Sequence, residues 1–179
     1  MRQAVLLLFL IALAFSPLAV LACGCVGMPN DTFETTTKYA FNNSIEVFHG
    51  KVTGFEYKKG VFNEFMSEQR DALGIPIQYE TKVVKFKVDR WWKGDLGLEI
   101  VLVTGETKNA DGGFSTNSCE YHFAEGESYM VFAYMDKQSA MPRTNSCSMT
   151  RDGKDTQQFV KILGEGTQVK NVPESSWIW

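Results

Sequence analysis

Histidine is scarce in this sequence, and its scarcity excludes several catalytic and metal-binding classes. The 179 residues include two histidines, and neither His49 nor His122 belongs to an HExxH or another metal-ligand motif. The GxSxG pattern, a glycine-rich phosphate loop and Cys-x-x-Cys are missing too, and the acidic residues form no persuasive catalytic pair. We interpret both histidines as ordinary strand residues. The sequence therefore predicts a binding protein that is not an enzyme and has no cofactor.

An excess of basic charge is also lacking. The formal net charge is −3, from 18 lysines and arginines against 21 acidic residues, which gives no electrostatic case for nucleic acid or an anionic membrane. Trp91, Trp92 and the lysines near them could imitate a platform on which bases stack. We prefer a solvated strand face that ends in core aromatics, which leaves a nucleic-acid or oligosaccharide binder as the least favoured alternative. We expect a monomer with no nucleic-acid partner.

Long apolar runs are confined to the N-terminus, where Ala4 to Phe15 is unbroken. Arg2 precedes the run, Ser16-Pro17 interrupts it, and Val20-Leu21-Ala22 offers a cleavage site. Residues 1–22 are therefore predicted to be a signal peptide. The mature protein would then be secreted and extracellular, or periplasmic or at the cell surface in a bacterium. Two alternatives are an uncleaved membrane anchor and a lipoprotein, in which an acylated Cys23 would hold the protein at the membrane.

Cysteine is present in a small, even number, with two residues close together and two far downstream. After cleavage Cys23 would be the first residue, and Cys25, Cys119 and Cys147 follow. Four cysteines in an exported chain predict two disulfides. A Cys23–Cys25 bridge would close a strained ring across one residue, so each is predicted to bridge to the body of the protein. The bridges could be staples and nothing else, or they could hold the new N-terminus rigid for a partner.

Alternating patterns predict a mainly β fold. The stretch 45–57 places Phe48, Gly50, Val52 and Gly54 on one face, and glycines on an inner face are typical of a bent barrel strand. Further strands are predicted at Lys82–Trp92, Leu98–Thr104 and Tyr129–Met135, with a long connection at 58–80 that could contain a short helix near 63–73. This pattern predicts a five-stranded Greek-key barrel of the oligonucleotide/oligosaccharide-binding (OB) type with flanking helices.

Helices are predicted on both sides of the strands. One begins with Asn30 or Asp31 as its cap and ends near Phe41, and another spans 155–163, where Phe159, Ile162 and Leu163 could pack on the barrel. Residues 109–118 are predicted to be a surface loop. Asn30 and Asn42 begin glycosylation sequons, which matter in a eukaryotic source. The tail 177–179 could either dock or lie free.

Several spaced motifs resemble the tissue inhibitors of metalloproteinases. Cys23-Gly24-Cys25-Val26 resembles the Cys-x-Cys opening of that family, and residues 47–52 are similar to its first barrel strand. Trp92-Lys93-Gly94 is similar to the end of its second strand in shorter members. Residues 119–123, Gly126 and residues 129–133 are similar to its cysteine-and-strand signature, and Cys147-Ser148 resembles its last cysteine. The resemblance covers about Cys23 to Thr150.

The resemblance implies a netrin-like domain over 23–150, with a helix and tail at 151–179 packed on the same domain. It also implies the disulfides Cys23–Cys119 and Cys25–Cys147. The α-amine and carbonyl of Cys23 would chelate the catalytic zinc of a metalloprotease, the only metal involved. Gly24 would face the specificity pocket, with Cys25 and Val26 in contact with the enzyme.

The sequence departs from the animal inhibitors in three features. Gly24 has no side chain, four cysteines leave no third disulfide or cysteine-rich C-terminal domain, and residues after Thr150 have no counterpart. The alternative function is therefore a netrin-like extracellular binding module that does not inhibit a protease.

Overall fold

The structure, a computed structural model, describes residues 23–25, 31–59, 79–94, 96–109 and 111–169. Within them the chain is mainly β, as predicted. The elements, in chain order, are α1 (Phe33–Asn43), β1 (Glu46–Lys59), β2 (Tyr79–Lys93), β3 (Glu99–Asn109), β4 (Phe114–Ser115), β5 (Ser128–Met135), β6 (Pro142–Arg143), β7 (Arg151–Asp152), a 3₁₀ turn (Gly153–Asp155), α2 (Thr156–Leu163) and β8 (Thr167–Gln168).

Several predicted features lie outside the described residues. They are the leader 1–22, Val26, Asn30, the helix near 63–73 and the tail 177–179. In the described part of the chain, no helix is both long and apolar enough to span a bilayer.

Five strands pair with one another in a ring. The order is β1, β2, β3, β6, β5 and back to β1, and every pairing is antiparallel except β3–β6, which is parallel at Val103 and Arg143. β4 extends the edge of β3, β8 pairs with β2, and β7 pairs with β5. The ring leaves the long central strands with main-chain partners on both sides.

β1 bends where the sequence predicts that it should. Its register against β2 shifts between Val47 and Phe48, between His49 and Gly50, and between Val52 and Gly54. At Gly50, a Cβ atom would lie 3.0 Å from the carbonyl oxygen of Lys87. Glycine at this position therefore allows β1 and β2 to approach closely.

The core has two parts, one inside the ring and one beneath the helices. The first contains Phe48, Val52, Val84, Phe86, Val88, Leu102, Tyr129, Val131 and Ala133. In the second, Val47, Met130, Phe132 and Met149 surround Phe159 of α2. The Phe159 ring centroid lies 5.4 Å from that of Phe132 and 5.1 Å from that of Phe33 on α1. The prediction that α2 packs on the sheet is confirmed for Phe159 and Leu163, whereas Ile162 is half-exposed.

The predicted cap of α1 was wrong. The N-cap is Thr32, whose Oγ1 accepts from the Thr35 backbone N at 3.2 Å, while Thr35 Oγ1 accepts from the Thr32 backbone N at 2.9 Å. A threonine thus takes the role that glutamate or glutamine usually has in a capping box. At the other end, Lys93 Nζ donates to the carbonyls of Phe41 and Asn42 at 2.8 and 3.0 Å, and its charge complements the negative end of the helix dipole.

Three further predictions need correction. Residues 109–118 are not only a loop, because Phe114 and Ser115 form β4 against Thr107 and Lys108 of β3. β3 itself continues past Thr104 to Asn109, since its polar end pairs with the start of β2. His49 lies on β1 as predicted, but His122 lies in an irregular segment before β5 and is exposed.

Candidate functional site

The segment Cys23-Gly24-Cys25, called the tip below, is attached to two separate loops. Cys23 is bonded to Cys119 and Cys25 to Cys147, with Cα–Cα distances of 5.0 and 5.2 Å. This is the pairing that the resemblance implies, and it is confirmed. The two disulfides indicate an oxidising compartment.

Both anchoring cysteines lie in the same kind of turn. The Asn117 side-chain oxygen accepts from the Cys119 backbone N at 3.0 Å, and that of Asn145 accepts from the Cys147 and Ser148 backbone N atoms at 2.9 Å each. Each is an Asx turn, which orders a loop without regular secondary structure. The sequence contained a signal for this arrangement, because the triplet Asn-Ser-Cys occurs at both anchors.

The two anchor loops are also joined to each other. The backbone N and the hydroxyl of Ser146 both donate to the Cys119 carbonyl, at 2.9 and 3.1 Å. The Sγ atoms of Cys23 and Cys147, which belong to different disulfides, are 3.7 Å apart. The anchor loops 117–119 and 145–148 therefore form one continuous surface, called the platform below. The tip rests on it with the two disulfides side by side.

A buried ion pair lies directly beneath the Cys119 anchor. Arg143 Nη2 is 2.9 Å from Glu120 Oε2, which also accepts from the Gly105 backbone N at 2.7 Å, while Arg143 Nη1 lies 3.7 Å from Asp136. Burial raises the pKa of Glu120, and the nearby Arg143 charge and the Gly105 hydrogen bond offset part of this effect. The Glu120 and Arg143 side chains are only 4% and 12% exposed. Sequence reasoning did not identify these residues.

A network of hydroxyl groups supports the Cys147 anchor. Thr144 Oγ1 donates to the Phe132 carbonyl of β5 at 3.0 Å, and Thr150 Oγ1 accepts from the Phe132 backbone N at 3.0 Å. The Thr144 and Thr150 hydroxyls are 2.7 Å apart, and both residues are buried. The loop is thus fixed to the middle of a core strand at both of its ends.

The tip itself is accessible. Gly24 and Cys25 are exposed and Cys23 is half-buried. Apart from its two chain neighbours, no described residue has an atom within 4 Å of the place where a Gly24 Cβ would be, and the Gly24 backbone is outside the left-handed region. The site could therefore carry a side chain at Gly24, although the sequence supplies none.

The remaining predicted site residues are not part of the tip or lie outside the described residues. Asn42 is exposed near the end of α1, and the third residue of its sequon, Ser44, is buried and donates its hydroxyl to the Ala40 carbonyl at 2.8 Å. His49 Nδ1 lies 2.8 Å from Asp89, away from any described cluster of metal ligands. The sulfur atoms of Cys23, Cys25 and Cys147 lie within 4.8 Å of one another, but as disulfides they offer no thiolate to a metal.

No family model matches the chain, and no curated protein matches it. The geometry of the tip and the motifs in the sequence are therefore the observations that bear on function.

Proposed function

We propose that this chain is a secreted inhibitor of zinc metalloproteases and that the tip enters the active site of the protease. The clamped tip is the observation that carries the proposal. Cys23 and Cys25 are each bonded to an ordered loop, and the residue between them is exposed. A segment held in this way loses little conformational entropy when it binds.

In this proposal residues 1–22 are a signal peptide, and its removal gives Cys23 a free α-amine. Such an amine has a pKa of about 8 and loses its proton at a modest energetic cost near neutral pH. The catalytic zinc of a protease keeps one coordination position for water, which a neutral amine can occupy. The Cys23 amine and carbonyl would bind that zinc, and no scissile peptide bond would lie at the metal.

We also propose that the ring of five strands is an OB-like Greek-key barrel of the netrin-like type over residues 23–150. Residues 151–179 would belong to the same domain. The closed order of strand pairings and the burial of Phe159 of α2 in the core support this assignment. The protein would act outside the cell as a monomer, with a zinc metalloprotease as its partner.

The decisive test compares two forms of the protein that differ by one residue. We expect the mature chain that begins at Cys23 to inhibit zinc metalloproteases. The same chain with one alanine added before Cys23 should not inhibit them, because its Cys23 nitrogen is then an amide that cannot bind the metal. Inhibition constants against a panel of zinc metalloproteases provide the measurement.

Two controls make the result interpretable. Both forms should show the same disulfide map and the same thermal midpoint, and mass spectrometry should find the Cys23 amine free and not acylated. Equal inhibition by the two forms would refute zinc chelation by the amine.

A second candidate is an extracellular binding module that contacts no active site. The absence of a side chain at Gly24 favours it, because nothing at that position can fill a specificity pocket. Failure of the correctly folded mature form to inhibit any protease in the panel would favour this candidate.

A further inference from the structure

Two disulfides lie in contact at the tip, and their geometry permits exchange between them. Cys23 Sγ and Cys147 Sγ are 3.7 Å apart although they belong to different bridges. Thiol–disulfide exchange proceeds when a thiolate attacks a disulfide sulfur that it can reach. If either bridge is reduced, one of its thiols already faces a sulfur atom of the other.

We infer that the tip is a redox-sensitive switch, in which reduction of either bridge leads to one rearranged form with a Cys23–Cys147 disulfide. Cys25 and Cys119 are the free thiols of that form. The exchange follows from the sulfur positions alone, whereas its effect on inhibition rests on the proposed function.

The exposed bridge gives the first route. Cys25 and Cys147 are both exposed, so an external dithiol can reduce their disulfide and is itself oxidised to a disulfide. Cys147 then loses its proton, and the thiolate attacks Cys23 Sγ. The Cys23–Cys119 bond breaks, and Cys119 leaves as a thiolate that takes up a proton. This second step changes no oxidation state, so it needs no oxidant.

Reduction of the half-buried bridge leads to the same product. The freed Cys23 thiolate attacks Cys147 Sγ, and Cys25 leaves. A Cys23–Cys25 disulfide forms less readily than the Cys23–Cys147 disulfide, because a ring closed across one residue departs from normal disulfide geometry.

The platform keeps the reacting sulfur atoms together during exchange. The two hydrogen bonds from Ser146 to the Cys119 carbonyl, and the Asx turns at Asn117 and Asn145, involve no sulfur. They persist when a bridge opens. In the rearranged tip Cys23 is held by the Cys147 loop, so under the proposed function its amine leaves the inhibitory position.

The sharpest test uses the Cys25→Ser variant, which has one disulfide and one thiol without added reductant. Its tip peptide, residues 23–38 after trypsin, contains one cysteine, so its partner can be read directly by mass spectrometry. We expect a peptide linked to residues 144–151 to accumulate beside the peptide linked to 109–137. The rate at which this linked peptide forms should rise about tenfold per pH unit up to the ordinary thiol pKa near 8.5, because the thiolate is the attacking species.

The matched control is Cys25→Ser combined with Cys147→Ser, which lacks the attacking thiol and should keep Cys23 bonded to Cys119. The rate in the single variant should not change on dilution, which identifies exchange within one molecule. A tip peptide linked only to 109–137 at every pH, with Cys147 fully alkylated, would overturn the inference, as would a rate that falls in proportion to dilution.

The unaltered protein supplies an independent measurement that does not depend on the folding of a variant. After a limiting amount of phosphine and alkylation in acid, we expect fragmentation of the tip peptide to show Cys25 alkylated and Cys23 linked to 144–151. Alkylation confined to the members of one original bridge would contradict exchange. Neither readout involves inhibition of a metalloprotease, so the result is separate from that of the inhibition test.

Discussion

Gly24 is the residue at which the tip differs most from what a pocket-filling inhibitor needs. It is exposed between two clamped cysteines, with open space in the direction of a side chain. The backbone there does not require glycine. Its contribution to the proposed interface is therefore limited by missing side-chain area and not by the conformation of the tip.

We expect Gly24→Thr to leave folding stability within about 0.5 kcal/mol of the original, because a Cβ at this position would have no described atom within 4 Å beyond its two chain neighbours. Inhibition by the mature chain should strengthen, since each Å² of apolar area buried in a pocket contributes about 25 cal/mol. Inhibition constants and thermal midpoints for the Gly24→Ala and Gly24→Thr variants provide the measurement. A drop in thermal midpoint would show that the tip is more crowded than described.

Gly105, in contrast to Gly24, has no room for a side chain, because three groups occupy the place where its Cβ would be. A Cβ there would overlap the Arg143 guanidinium, the Glu120 carboxylate and the Asn117 amide. Gly105→Ala should therefore displace the ion pair beneath the Cys119 anchor and cost about 2 kcal/mol or more.

Gly97→Ala is the matched control for this substitution. Gly97 is exposed and has no described atom within 4 Å of its Cβ direction, so the change should alter stability by less than about 0.5 kcal/mol. Denaturant unfolding of both variants gives the comparison. Equal stability of the two would mean that the ion pair does not depend on the close approach at Gly105.

At the scale of the elements, three strands are connected by side chains as well as by their backbones. Tyr57 of β1 donates its hydroxyl to Glu106 of β3, and Lys82 of β2 donates to the same carboxylate at 3.0 Å. Burial alone would raise the pKa of Glu106, but the hydrogen bonds from Tyr57 and Lys82 and the Lys82 charge lower it below its usual value. Burial and the neighbouring carboxylate raise the pKa of Tyr57 to about 12.

This connection predicts a loss of stability in alkali. The Tyr57 pKa is about 12 in the folded protein against 10.0 for the ordinary group, so the folded state keeps its proton longer than the unfolded chain does. Its contribution is fully present below pH 10 and is lost as the pH rises to about 12. Burial raises the pKa of Tyr121 as well, so the late phase of the phenolate absorbance should contain more than Tyr57, and Tyr57→Phe should reduce its amplitude by one tyrosine. A late phase of unchanged amplitude in the variant would assign the shift to another residue.

The strands were the elements most accessible to sequence reasoning. On β2, Val84, Phe86 and Val88 are buried and Lys85 and Lys87 are exposed, as their alternation predicts. Features that depend on contacts with other parts of the chain were missed. The end of β3 carries no apolar alternation, and it is a strand because β2 and β4 pair with it. The cap of α1 was misplaced because Asn30 and Asp31 have the same local preference as Thr32.

At the scale of the whole molecule, the disulfides connect distant parts of the chain. The Cys25–Cys147 bridge closes a loop across a sequence separation of 122 residues. Chain-entropy reasoning assigns such a bridge on the order of 4 kcal/mol. Replacement of both cysteines by serine should lower the free energy of unfolding by about this amount, measured by denaturant titration with Cys23–Cys119 intact. An unchanged denaturant midpoint would show that the bridge positions the tip without stabilising the fold.

The candidate site was only partly predictable from the sequence, because several of its contacts join residues that are distant in the chain. The cysteine positions and their pairing were expected from the motif and the resemblance. The ion pair of Glu120 and Arg143 was not expected, because it joins residues 23 positions apart through a contact that exists once β3 and β6 are neighbours. The repeated Asn-Ser-Cys triplet was available in the sequence and predicts the paired anchor turns.

The order of synthesis gives the long bridges a further consequence. Translation produces Cys23 and Cys25 first, yet their partners lie 96 and 122 residues later in the chain. The Cys147 loop, and with it the complete platform, does not exist until most of the described domain has been made. If the clamped N-terminus is what captures a protease, the chain becomes a competent inhibitor only when Cys147 has joined the fold.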